Sequence, residues 1–227
     1  MRVERMGDAI PYGPMLALQE ARHHEVRSDT SQETLFLLQH RSVVTLGKNA
    51  SEDNLRLSPG EFRERNIDLV ETGRGGDVTW HGPGQIVGYP ILHFSEAERD
   101  IRKYVWNLEE VMIRTARDYE IEARRVEGLR GIWVGEEKLA AIGVRIARWT
   151  TLHGFAFNVC PDLTNFEVIV PCGIVDKGVT SLEKIMGSQA PTTGEVEQRL
   201  CEHLSDVLGR TLIEAIPSPF PEVSTDV

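Results

Sequence analysis

The chain has 227 residues, of which 41% are hydrophobic and 26% charged, and its formal net charge is −10. Such a length and composition suit a soluble folded domain with room for a sizeable core, and the acidity argues against a general nucleic-acid binder. No apolar run approaches the roughly 20 residues of a membrane helix, and the amino terminus lacks the apolar core of a signal peptide. Three cysteines, an odd number, do not suggest a disulfide framework, so a reducing cytoplasmic setting is expected.

Taken in chain order, the pattern predicts a helix from Pro14 to Arg27, a strand at Thr34 to Gln39 and another at Val43 to Leu46. Ser58-Pro59-Gly60-Glu61 reads as a capping box with proline at the first helical position, so a short helix follows. Asp68 to Thr72 and Gln85 to Leu92 read as strands on either side of a glycine-rich segment. Ile101, Val105, Leu108, Met112 and Ala116 recur at helical spacing. Strands then cluster at Ile121 to Val126, Gly131 to Val134, Leu139 to Arg148 and Thr151 to Val159, with Gly135-Glu136-Glu137 as a hairpin turn. Thr192 and Glu195 form a second capping box before Val196, Leu200, Leu204, Val207 and Leu208, and Gly209 supplies the stop. The fold class expected is α/β (α+β), a mixed, largely antiparallel sheet with helices packed on it. A single domain over residues 1–217 and a frayed, proline-rich tail from Ser218 to Val227 complete the reading.

The segment from Thr72 to Pro90 departs most from an ordinary domain, with six glycines among Arg74, Asp77, Trp80, His81 and Gln85. Glycine at that density costs folding entropy and is expected where backbone must approach something closely. The segment is neither a Walker A loop, since no Gly-Lys-Ser/Thr follows, nor a dinucleotide fingerprint, since it runs into a strand. A ligand-binding loop is expected.

Cys172 lies between Pro171 and Gly173, which suits an exposed sulfur on a sharp turn, although a small buried cysteine fits the same local sequence. Cys160 and Cys201 read as packing residues. Lys138 opens the strand that holds Ala140, Ala141 and Gly143. An ammonium held partly desolvated there could stabilise a thiolate or serve as a base once deprotonated; a solvated lysine at a hairpin end fits as well. Small residues in mid-strand suggest that something approaches the backbone closely. The histidines and cysteines lack metal-ligand spacing, so no metal site is expected.

RGGDVTWHGPGQIVGYPIL, KLAAIGVRI, LHGFAFNV, PCGI and VTSL occur in that order between about Thr34 and Leu182. In this the chain resembles the octanoyl-acyl carrier protein:protein octanoyltransferase family, also called lipoate-protein ligase B. The resemblance implies the catalytic-domain fold of the biotin/lipoyl protein ligases. It also implies that Cys172 accepts an octanoyl group from the phosphopantetheine of acyl carrier protein as a thioester, with Lys138 lowering the thiol pKa and assisting proton transfer. The acyl-binding site would be lined by Arg74, Gly75, Gly76, Asp77, Val78, Thr79, Trp80 and His81, with Ala141, Ile142, Gly143, Gly154, Phe155 and Ala156. The acceptor would be a lysine ε-amine on lipoyl domains of 2-oxoacid dehydrogenases and glycine cleavage H protein. Neither ATP nor a metal would be needed, and the protein would act as a cytoplasmic monomer. An ATP-dependent lipoate or biotin ligase, or a non-catalytic acyl-carrier-binding protein, are the alternatives on the same fold; neither needs both Cys172 and Lys138. Because carrier proteins and lipoyl domains are acidic, docking would use a basic patch of Arg124, Arg125, Arg130, Arg145 and Arg148.

Overall fold

The computed structural model describes residues 1–170 and 177–221, in which the elements follow in chain order. They are β1 (Arg2–Ile10), α1 (Tyr12–Arg27), β2 (Thr34–His40), β3 (Val43–Leu46), α2 (Pro59–Glu64), β4 (Asp68–Glu71), β5 (Val78–His81) and β6 (Gln85–Ile91). After these come α3 (Ile101–Arg117), β7 (Arg124–Val126), β8 (Leu129–Val134), β9 (Glu137–Ala147) and β10 (Thr150–Asn158). β11 (Gly178–Val179), α4 (Leu182–Met186), α5 (Thr193–Leu208) and β12 (Ile213–Ala215) complete the described part. The large sheet runs β12-β1-β2-β6-β10-β9-β8-β7, with β11 also paired to β9, and a small sheet runs β4-β3-β5. Pairing from β2 across to β7 is antiparallel, whereas β1 is parallel to both β2 and β12. The mixed, largely antiparallel sheet is thus observed.

Every residue of β2, β6 and β10 is buried, because both faces of the large sheet are covered. Alternation sorts their side chains into two cores. Leu35, Leu37, Ile86, Phe155 and Phe157 pack with Leu108 and Met112 of α3 and with Leu200 and Leu204 of α5. Phe36, Leu38, Val87, Tyr89, Leu152 and Ala156 pack with Met15 and Leu18 of α1. Both capping boxes form as their spacing predicts, at Ser58 with Glu61 and at Thr192 with Glu195. Gly209 ends α5 at φ 62° and ψ 38°. Ile101 departs from the expected apolar stripe: it is 48% exposed, in the first turn of α3.

Two strands at the amino and carboxyl ends had no signature. β1 alternates poorly, since its charged residues are held by partners from elsewhere. Glu4 is fully buried, and it accepts hydrogen bonds from the Arg22 guanidinium (3.1 Å) and from the Ser218 backbone N–H (2.8 Å). Ser218, at the start of the segment read as a frayed tail, also accepts from Arg22 (2.9 Å), and Phe220 packs on the α1-side core.

The antiparallel neighbours β6 and β10 come close together at two glycines. A Cβ on Gly154 would run into the carbonyl oxygen of Gly88, and one on Gly88 would run into the Phe155 ring. The obstruction at Gly154 is backbone in mid-sheet, which cannot step aside. Gly154→Ala should therefore destabilise the chain by about 3 kcal/mol, read as a lowered urea midpoint with an unchanged m-value. An unshifted midpoint would show that the two strands can separate freely here.

Candidate active site

The glycine-rich segment joins the two sheets. Residues 72–77 leave β4 and fold back on the end of β3: Lys48 N–H donates to the Arg74 carbonyl (3.0 Å) and Asn49 N–H to the Gly76 carbonyl (3.1 Å). Gly75 N–H donates to the Val144 carbonyl of β9 (3.0 Å), which pins the loop to the large sheet. Glycine is required where these backbones meet. Gly76 has φ 90°, a Cβ on Gly47 would strike the Gly76 carbonyl, and one on Gly143 would lie 3.0 Å from Cδ of Arg74.

Beneath this bridge lies a cavity of about 640 Å³, within the roughly 300–1,000 Å³ typical of small-ligand sites. Arg74, Gly75, Gly76, Asp77, Val78, Thr79 and His81 line it from the loop and β5, and Lys138, Ala141, Ile142 and Gly143 from β9. Gly154, Phe155 and Ala156 line it from β10. Apart from Trp80, every described residue expected in the site meets here, although 60 or more positions separate the loop from β9 and β10.

Trp80 is the correction. Its indole N–H donates to Ser42 Oγ (2.8 Å) and its ring meets Phe166 edge-on at 5.2 Å. It fills a third core, between the small sheet and the turn at Leu163–Val168. Alternation along β5 turns Trp80 away from the cavity and its neighbours Thr79 and His81 toward it. Asp77 borders the cavity, but its carboxylate is used structurally, accepting from Asn54 Nδ2 (2.6 Å) and the Val78 N–H (2.7 Å). Arg74 is 6% exposed and donates to the Thr45 carbonyl (2.6 Å) and hydroxyl (3.1 Å).

Polar residues shape the inner wall, His81 and His153 on it and Gln85, Asn158 and His40 behind it. His81 Nδ1 lies 2.6 Å from Gln85 Oε1, Gln85 Nε2 donates to Asn158 Oδ1 (2.9 Å), and Asn158 Nδ2 donates to the Thr180 carbonyl (2.9 Å). Because Gln85 gives its N–H to Asn158, its oxygen faces the imidazole and Nδ1 carries the proton. His40 sits between the Ile10 carbonyl and the Tyr89 hydroxyl, each at 2.8 Å, with the Tyr12 ring beside it. His153 is 2% exposed, adopts φ 58°, and has no hydrogen-bond partner on Nδ1 among the described residues. Burial pushes His81 down to about 3 and His40 and His153 to about 4, so all three imidazoles are neutral at pH 7. Tyr12, Tyr89 and His153 also line the cavity, from α1, β6 and β10; His153 directly precedes the expected Gly154, whereas Tyr12 has no local signal.

Lys138 is half-buried at the start of β9, with Nζ 4.8 Å from the centroid of the Trp133 ring. β11 pairs beside it, Val179 opposite Lys138, and Thr180 N–H donates to its carbonyl (3.0 Å). Residues five to eight positions after Cys172 therefore run alongside Lys138. Cys172 itself, with Pro171 and Gly173, lies outside the described residues. Cys201 is half-buried against the α5-side core and its thiol is pushed up to about 11, chiefly by burial. Cys160 is exposed at the end of β10, so the packing role expected for it does not hold.

The expected basic patch is divided. Arg124 pairs with Glu136 (3.2 Å), and Arg125 with Glu109 (3.2 Å) and Glu110 (2.9 Å) while lying over the Trp106 ring. Arg130 lines the cavity. Arg145 reaches the glycine loop at Gly73, and Arg148 occupies the β9–β10 turn. Among the described residues, no group of three or more His, Cys, Asp or Glu side chains could hold a metal ion, and no helix is long and apolar enough to cross a membrane.

Residues 11–205 match the family model described as the lipoyl protein ligase A/B catalytic domain. The chain belongs to this family. An octanoyltransferase of Caldicellulosiruptor saccharolyticus is 43% identical over 204 residues, 89% of this chain and 86% of that one. An octanoyltransferase of Syntrophotalea carbinolica is 41% identical over 225 residues, covering 99% of this chain and all of its own length. The chain thus falls among the octanoyltransferases of the lipoyl protein ligase A/B family, which are acyltransferases. In fold it is similar to the bipartite lipoate protein ligase of Thermoplasma acidophilum, solved in a study that also covers its E2 lipoyl domain. There the TM-score is 0.77 at 18% identity, over 96% of this chain and 87% of that one.

Proposed function

We propose that the chain moves an octanoyl group from acyl carrier protein to a lysine on lipoyl domains, through a thioester on Cys172. The observation that carries this reading is the place of Lys138: at the edge of the acyl-sized cavity, beside the strand that returns from the Cys172 segment. The Cys172 thiolate attacks the octanoyl thioester carbonyl. The C–S bond to the carrier breaks, and the carrier's phosphopantetheine leaves as a thiol after taking up a proton. The neutral ε-amine of the acceptor lysine then attacks the Cys172 thioester; an amide forms, the amine gives up a proton, and the Cys172 sulfur is released. Lys138 stabilises the thiolate and relays the proton in each half.

Exchange between thioesters is close to isoenergetic and amide formation from a thioester runs downhill, so the cycle needs neither ATP nor a metal. Ala141, Gly143, Gly154 and Ala156 leave open the volume that larger side chains would fill. Burying the chain's six methylenes contributes roughly 5 kcal/mol at about 0.8 kcal/mol each, before any ordering cost, which favours octanoyl over acetyl. His81 and His153, neutral at pH 7, add no charge to the part of the wall they line next to an apolar ligand. Arg130 and Arg145, near the cavity, are the cations available to an acidic carrier. A reducing cytoplasm, where carrier and thiol are both available, suits this chemistry.

The test is intact-mass spectrometry after mixing the protein with octanoyl-carrier protein without ATP. We expect one octanoyl adduct, mapped to Cys172 and discharged by adding a lipoyl domain. Modification that occurs only with ATP, and without an adduct, would assign the chain to the ligase chemistry instead.

A further inference from the structure

We propose that Trp133 is a positioning residue that holds the Lys138 ammonium at the cavity edge, a role that rests on the reading of Lys138 given above. Trp133 is 1% exposed and lies directly across the β8–β9 ladder from Lys138. The ladder is irregular at this point. Ile132 pairs with Ala140 while the next residue, Trp133, pairs with Lys138, so β9 carries one extra residue, Leu139. A bulge of this kind re-aims the side chain beside it, and here the ammonium lies 4.8 Å from the indole centroid. The face of a buried indole attracts a cation strongly because little water competes.

A second ammonium shares the ring. Lys177 Nζ is 5.6 Å from the same centroid, and it is ion-paired with Glu136, which also pairs with Arg124. Two ammoniums on one ring would repel each other, but the Glu136 carboxylate offsets the charge of Lys177. Lys177 is also the first described residue after the Cys172 segment, so one ring anchors both the proposed catalytic lysine and the chain returning from the proposed nucleophile.

The test compares Trp133→Phe and Trp133→Leu, each with Lys138 intact and with Lys138→Met. With Lys138 intact, leucine should lower kcat about tenfold with KM for octanoyl-carrier protein unchanged, while phenylalanine, which keeps a ring, stays within about threefold of the parent. On the Lys138→Met background, leucine should cause no further loss. Equal losses on both backgrounds, or a phenylalanine variant as slow as leucine, would overturn the positioning role. An independent readout is NMR of reductively ¹³C-methylated protein. The Lys138 methyl resonance should be shifted by the ring current in the parent and in Trp133→Phe; an unshifted resonance in both overturns the geometry. A shifted resonance with full activity in Lys138→Met would instead overturn the catalytic assignment of Lys138, not its placement. The phenylalanine variant keeps the comparison available if leucine unfolds the chain.

Discussion

Cys172→Ser should reduce octanoyl transfer to a lipoyl domain by at least about a thousandfold and abolish the octanoyl adduct. A serine hydroxyl stays protonated at neutral pH and is a far weaker nucleophile toward a thioester than a thiolate. The substitution is nearly isosteric, so the unfolding free energy from urea titration should stay within about 0.5 kcal/mol of the parent and the loss can be assigned to chemistry. Lys138→Met should separate the two halves of the mechanism. Alkylation of Cys172 by iodoacetamide should require higher pH than in the parent, because a positive charge that favours the thiolate is gone. Turnover should fall with it while KM for the carrier changes little. Retention of transfer by Cys172→Ser at even a tenth of the parent rate would mean direct passage from carrier to lysine, and Lys138 would then have to act on the acceptor amine.

Much of this fold could be read from local chemistry. The capping boxes at Ser58 and Thr192 are satisfied within one turn of helix, so four consecutive residues carry the whole signal. The central strands β2, β6 and β10 place apolar residues on both faces, and their apolar stretches, such as Leu35 to Leu38 and Phe155 to Phe157, stand out in the sequence. β1 is the opposite case. Its Glu4 is buried by Arg22, eighteen residues along, and by Ser218, at the far end of the chain, and a strand stabilised that way has no apolar alternation to display. β5 was hidden for another reason, since four residues among six glycines look like loop until pairing with β3 makes them a strand.

The site divides along the same line. Arg74 to His81, Ala141 to Gly143 and Gly154 to Ala156 are contiguous blocks whose small residues signal close backbone approach. That signal is physical: Gly75 is bonded to Val144, and Gly143 lies against Arg74. Trp80 belongs to the same contiguous block but not to the site, because neighbouring residues of a strand face opposite sides. Tyr12 and Tyr89 also line the cavity but lie outside these small-residue blocks; they meet only after α1 and β6 have packed. A run of residues in sequence therefore reports which backbone approaches the ligand, and tertiary packing alone decides which side chains look at it.

Acidification should unfold this protein unusually steeply between pH 6.5 and 4.5. His81 is pushed down to about 3 and His40 and His153 to about 4, each mainly by burial, whereas in the unfolded chain they titrate near 6.5. Arg74 adds repulsion toward protonated His81 and His153, His40 adds to it at His81, and Arg145 adds to it at His153. Above pH 6.5 the imidazoles are neutral in both states and their neutral burial imposes no proton-linked cost. As pH falls through 6.5 the unfolded chain takes up as many as three protons that the folded chain refuses until pH 4 or below. Stability therefore falls with pH, by about 4 kcal/mol per unit at the steepest point (three protons at about 1.4 kcal/mol each). Glu109 and Glu197, held above the usual carboxylate range by burial, act in the opposite sense and soften the slope. Glu4 and Glu98, held low, add to the loss only below about pH 4.5. Folding free energies of domains are roughly 5–15 kcal/mol, so a loss of up to about 6 kcal/mol between pH 7 and pH 5 takes a large fraction of the stability. Urea titrations at pH 7, 6 and 5 read the slope directly, and His40→Gln should lower it by about one proton. A slope below one proton in the parent would mean that water or a counter-charge reaches these imidazoles. His81 and His153, which line the acyl cavity, would then gain charge close to neutral pH, beside the octanoyl chain.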